Sequence, residues 1–167
     1  MMIPRMRRLS VGLAALTVVV LTSFSVLRAA DPPMRVQLDV LKVTVDNKGV
    51  EQFTPATRVY PGEVLEYRLS YTNREAYAMT KVAATLPLPQ GTCYLKNSAT
   101  PAPQMASQDA VKFSPIPLKR KVTSPSGQVS EVEVPASEYL ALRWIIDSLK
   151  PGKPVQLLAR VTVANRG

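Results

Sequence analysis

The chain has 167 residues, with 21 lysines and arginines against 12 aspartates and glutamates, no histidine, one cysteine and 15 prolines. Without histidine there can be no Ser-His-Asp or Cys-His catalysis and no histidine-ligated zinc or copper. A lone Cys93 excludes an intrachain disulfide, a CxxC redox pair and a thiolate metal cluster. No G-x-S-x-G elbow or glycine-rich phosphate loop occurs. The chain therefore reads as non-enzymatic: no catalytic, cofactor-binding or metal-ligating residue is assigned, and no cofactor is expected.

Residues 1–30 read as an export signal or an uncleaved membrane anchor. Arg5, Arg7 and Arg8 form a positive start, Leu9 to Leu27 an apolar run, and Arg28-Ala29-Ala30 a small-residue end. The apolar run approaches the ~18 residues of a membrane span, which keeps both outcomes in play. Setting aside Arg5, Arg7, Arg8 and Arg28 leaves 17 basic residues against 12 acidic ones, a net of +5. Nucleic-acid binding needs a concentrated basic face with stacking aromatics, and neither is present, so nucleic acid is not an expected partner. The membrane is expected to be met only through residues 1–30. The expected compartment is the periplasm, cell envelope or exterior.

Residues 31–35, with Pro32 and Pro33, form a stiff linker, and 36–167 one domain. Val36 to Val45 reads as a strand whose apolar phase slips between Val40 and Leu41, the mark of a β-bulge or a change of sheet. Asp46-Asn47-Lys48-Gly49 is a turn. Tyr60-Pro61-Gly62-Glu63 fits a type II turn with Pro and Gly at its centre. Val64 to Asn73 then alternates, Leu65, Tyr67, Leu69 and Tyr71 facing one way, as in a half-buried antiparallel strand. The two tyrosines belong with the core rather than with a sugar-stacking platform. Another strand spans Lys81 to Leu86, ended by Pro87-Leu88-Pro89-Gln90-Gly91. Extended structure resumes from Cys93 to Lys96, with Cys93 as a small buried hydrophobe.

From Ser98 to Pro117 the composition turns to Ala, Pro, Ser and Gln, with a strand expected around Ala110 to Phe113. A hairpin follows. Ser124-Pro125-Ser126-Gly127 fits a type I turn with Gly in the left-handed position. Pairing Ser124 with Gln128 sets Lys121 opposite Glu131 and Lys119 opposite Glu133. The basic run Lys119-Arg120-Lys121 is the candidate interaction patch, set against a structural reading in which its lysines pair with those glutamates. Glu138 to Ile146 reads as a central strand buried on both faces, with Trp144 in the core. Pro151-Gly152 turns the chain into a closing strand, Val155 to Ala164. Several short strands with frequent turns and no helical period predict an all-β, immunoglobulin-like antiparallel sandwich.

Three blocks resemble the conserved repeat domain of bacterial surface proteins catalogued as domain of unknown function eleven. The first is Pro61-Gly62-Glu63 through Tyr67, Tyr71, Thr72 and Asn73. The second is Ala84-Thr85-Leu86-Pro87 with Pro89, Gly91 and Tyr94. The third is Leu142-Arg143-Trp144, Leu149, Pro151-Gly152 and the closing strand. Two departures stand out: Ala84 occupies a place that is commonly acidic, and 99–137 is longer than usual. The resemblance implies an immunoglobulin-like sandwich in a structural or protein-interaction role at the bacterial cell envelope, with another envelope or surface protein as partner. The alternative expectation is a periplasmic binding or chaperone-like subunit assisting secretion or surface assembly, which calls for an exposed apolar groove or an unprotected edge strand.

Overall fold

A computed structural model of the protein describes residues 31–164; the signal or anchor segment expected at 1–30 lies outside them. The described chain is an all-β sandwich. Its strands are β1 (Met34–Val45), β2 (Glu51–Pro55), β3 (Val64–Asn73), β4 (Met79–Pro87), β5 (Thr92–Tyr94), β6 (Met105–Ser107), β7 (Ser114–Pro115), β8 (Lys119–Thr123), β9 (Val129–Glu133), β10 (Ala141–Leu149) and β11 (Val155–Val163). One sheet runs β2-β1-β3-β11-β5, the second β4-β10-β6-β7, and β8-β9 form a separate hairpin. Every pairing between these strands is antiparallel.

The alternation read in β3 is the alternation of the core. Leu65, Tyr67, Leu69 and Tyr71 are buried and meet Ala84, Leu86, Leu142, Trp144 and Ile146 from the second sheet. Trp144 donates its indole N–H to the Pro101 carbonyl at 2.7 Å, so its polar edge is satisfied inside the core. Two of the proline-glycine turns fasten the ends of the sandwich. Gly62 takes the left-handed conformation, φ +85°, and donates to Val163. At the other end Gly152 donates to the Asn73 carbonyl. The fully buried Asn73 side chain donates to Tyr77 and Leu149 carbonyls and accepts from Glu75 N–H. Asn73 thus ties the end of β3 to the end of β10.

Within the two sheets the structure departs from four sequence expectations. β1 carries no bulge: its pairing with β3 runs unbroken from Met34↔Asn73 to Val43↔Val64. The apolar phase slips because Leu41 and Val43 lie on the outer face, beside β2 residues Pro55 and Phe53. Residues 110–113 are not a strand. The Asp109 carboxylate accepts from Val111 and Lys112 N–H groups and curls the chain into a turn between β6 and β7. β10 is central in its sheet, with Leu142, Trp144 and Ile146 buried on one face, while on the other Ala141 is buried, Arg143 and Ile145 are half-buried and Asp147 is exposed. Glu138 belongs to a short 3-10 turn and Leu140 is exposed. Cys93 sits opposite Thr162, on the face away from the core, and is half-buried.

Candidate functional site

The basic run lies on β8, in a hairpin whose residues are exposed throughout. The register is the one the turn chemistry requires: Lys119 faces Glu133, Lys121 faces Glu131, and Gly127 is left-handed. The expected cross-strand ion pairs do not form. Glu133 takes Lys96 at 2.7 Å instead, and Arg120 reaches Glu138 at 2.6 Å, so the hairpin's charges brace it against its root. Lys119 and Lys121 join no ion pair among the described residues. The remaining fold-signature residues build the framework. Tyr67, Asn73, Leu86 and Trp144 are buried, and the turns at Pro61-Gly62, Pro87 to Gly91 and Pro151-Gly152 close its ends. Where the Pro61 and Gly91 turns approach each other they border an open cleft of about 500 Å³ lined by Leu65, Tyr67 and Val163.

Glu63 and Glu66, three residues apart, serve different partners. Glu63 holds Lys42 at 2.7 Å and accepts the Tyr60 N–H, which together keep its carboxyl below the usual range. Glu66, almost wholly buried on the outer face of the first sheet, gives one oxygen to Arg68 at 2.7 Å and the other to Arg160 at 2.8 Å. Arg160 also grips Glu51 with both terminal nitrogens, at 2.6 and 2.7 Å. That bidentate grip holds the Glu51 carboxyl below its ordinary value and raises the guanidinium's. Phe53 stacks under Arg68 at 4.6 Å. This network crosses from β2 over β1 to β3 and β11, and it pins β2 in place. β2 leaves no mark in the sequence because five exposed residues carry too short an alternation to register.

β2 covers only part of β1. It pairs with Leu41 to Val45, and its last contact is the Ala56 N–H donating to the Val40 carbonyl. Met34 to Asp39 have β3 on one side and, among the described residues, no strand on the other. Because backbone groups alternate along a strand, the Val40 bond shows which way each residue points. Val36 and Leu38 direct their N–H and C=O outward, while Arg35, Gln37 and Asp39 bond β3. The Arg74 N–H donating to the Pro33 carbonyl from the β3 side agrees.

The side chains of this segment are as informative as its backbone. Val36 and Leu38 pair with Tyr71 and Leu69, which places them on the core-facing side of the sheet, yet they are 50% and 48% exposed. Arg35, Gln37 and Asp39 line the outer face. Exposed edges invite pairing, and proteins blunt them with short strands, proline or distortion. The neighbouring edges are blunted in those ways: β5 has three residues, β7 contains Pro115, and Lys81 interrupts β4 with a left-handed φ of +50°. Met34 to Asp39 carry none of these three; their one guard is the charge of Arg35 and Asp39. No protein family matches the chain, and comparison with curated proteins and with solved structures returned no match.

Proposed function

We propose that the chain is an exported, non-catalytic module of the bacterial cell envelope, with a structural or protein-interaction role. It would be an immunoglobulin-like member of the surface-protein repeat family that its proline-glycine, Thr-Leu-Pro and Trp blocks resemble. Its means of interaction is strand addition at the free half of β1. The observation that carries this is the open edge at Met34 to Asp39, where outward-pointing backbone groups coincide with core-facing side chains left half uncovered. Strand addition satisfies both at once: the backbone gains a ladder and Val36 and Leu38 gain apolar neighbours.

A periplasmic chaperone-like subunit is favoured by the same edge, since such a protein also needs unpaired backbone beside apolar side chains. The two differ in selectivity. A structural module holds one partner in one register, whereas a chaperone-like subunit holds many client segments.

A photo-crosslinking residue in place of Gln37, in intact cells, tests the edge, with the same residue in place of Gln128 at the hairpin tip for comparison. Adducts of one defined mass at 37 and few at 128 are expected. A ladder of many masses at 37 favours the chaperone-like reading. Adducts only at 128, or only monomer at both, would overturn strand addition at β1. Cell fractionation with sequencing of the mature N-terminus tests export: recovery in the cytoplasm with Met1 intact contradicts it.

A further inference from the structure

The geometry points to a second copy of the chain as the occupant of the β1 edge, two sandwiches joined through antiparallel β1–β1 pairing about an axis at Gln37. This rests on strand addition at β1 and names its partner. Two features bear on the register: the first limits it and the second chooses it.

The first is the length of the free window. It begins after Pro33, which lacks an N–H and follows another proline. It ends at Val40, whose carbonyl already accepts the Ala56 N–H. Its free residues, Met34 to Asp39, are centred between Val36 and Gln37. An antiparallel pair centred on Gln37 joins Arg35 to Asp39 of both copies and clears β2, provided the chain turns away at Met34, which would otherwise meet Ala56 in its place opposite Val40. The outward-pointing residues then pair correctly: Val36 of each copy exchanges N–H···O=C bonds with Leu38 of the other, and Gln37 faces Gln37 in a non-hydrogen-bonded pair.

The second feature is the side chains. In that register Arg35 of each copy stands opposite Asp39 of the other, on both sides of the axis. Neighbouring registers that keep the backbone groups aligned lose this match. Centring on Val36 sets Arg35 opposite Gln37, and centring on Leu38 sets Asp39 opposite Gln37. Opposite charges directly across a strand pair are favourable, so the outer face specifies the alignment that the window length permits. On the inner face Val36 and Leu38 of both copies form one apolar strip, continuing the core past its present limit. A charged edge usually discourages self-pairing; here reversed order makes the charges complementary.

Cysteine crosslinking of the full chain, with Cys93→Ala to remove the native thiol, tests the register. Non-hydrogen-bonded residues facing across antiparallel strands have Cα atoms about 4.5 Å apart, inside the roughly 4.4–6.8 Å span of a disulfide. Gln37→Cys is therefore expected to give a disulfide-linked homodimer. Asp39→Cys places the two thiols about 14 Å apart along the strands and is expected to stay monomeric, but to crosslink when mixed with Arg35→Cys. As a second arm, Arg35→Asp and Asp39→Arg each weaken self-association, and an equimolar mixture of the two restores it. If Gln37→Cys links to a different protein and gives no homodimer, the second-copy assignment is wrong while strand addition stands. If it links to nothing, both fall. Equal homodimer yield from Cys at 37 and at 39 would show an unregistered sticky edge and overturn the alignment.

Discussion

Leu157 and Leu38 are the same residue type, in the same sheet and on the same face, and both lie beside Leu69. Leu157, on β11, is 1% exposed; Leu38, on β1, is 48% exposed. The difference lies in what covers them. The second sheet closes over β3 and β11, whereas the middle of β1 extends past that cover. Met34 and Val40, at the ends of the free segment, do pack against the core, so the uncovered stretch is confined to Val36 and Leu38. A patterned strand therefore carries an inward face whether or not anything lies over it. The unmet part of that face is where the molecule has room for a partner.

The contrast breaks most readily at its buried end. Leu157→Ala removes a fully buried side chain and is expected to cost about 2–5 kcal/mol in urea unfolding. A loss as small as that of an exposed leucine would mean β11 is not covered as described. Asn73→Ala comes next, at about 1–3 kcal/mol, because it strands the Leu149 carbonyl in the interior. Thermal or urea melts read it, and an unchanged midpoint would remove Asn73 from the framework. Leu38→Ala should cost the monomer about 1 kcal/mol or less, since half of its surface is already in water. Its effect on self-association should be larger than its effect on stability. The reverse order would identify Leu38 as core.

The smallest effect concerns acid. Three hydrogen bonds from Lys112, Val111 and Ser107 hold the Asp109 carboxyl at about 2, below its ordinary 3.8. A carboxyl held low stabilises the folded state fully above its unfolded value, and that stabilisation is lost as pH falls toward the folded one. The turn between β6 and β7 should therefore persist to about pH 4 and loosen on the way to about pH 2. Asp109→Ala should flatten the stability profile across that window without changing pairing at β1. A profile that still falls as steeply would assign the acid sensitivity to Asp46, Glu51 and Glu63, whose carboxyls are also held low.

How much of this is legible in the residues depends on the range of the interactions involved. The limits of β3 follow from strict alternation between a proline-glycine turn and Asn73, and the β8-β9 register follows from its turn; both are local. β2 escapes because its partner Arg160 lies 109 residues from Glu51. The turn at 110–113 escapes because an alternating pattern there is overridden by one carboxylate capping two amides. The slip in β1 has a tertiary origin too: β2 gives the outer face of Leu41 and Val43 something to touch. Exposure of Val36 and Leu38 is set by what the rest of the fold leaves uncovered along β1, which no local pattern encodes. The charge-reversed order Arg35-Val36-Gln37-Leu38-Asp39 was present in the sequence all along. It acquires meaning only once β3 is known to occupy one side of β1 and nothing described occupies the other.

Amide hydrogen exchange of the full chain, followed residue by residue across a dilution series, tests the free edge of β1 most directly. At low concentration the Val36 and Leu38 amides should exchange rapidly while that of Gln37, bonded to β3, is protected. With rising concentration Val36 and Leu38 should become protected together, and Gln37 should not change. Val36 and Leu38 amides that are protected at every dilution, or exposed at every concentration, would contradict a free edge that pairs with a second copy.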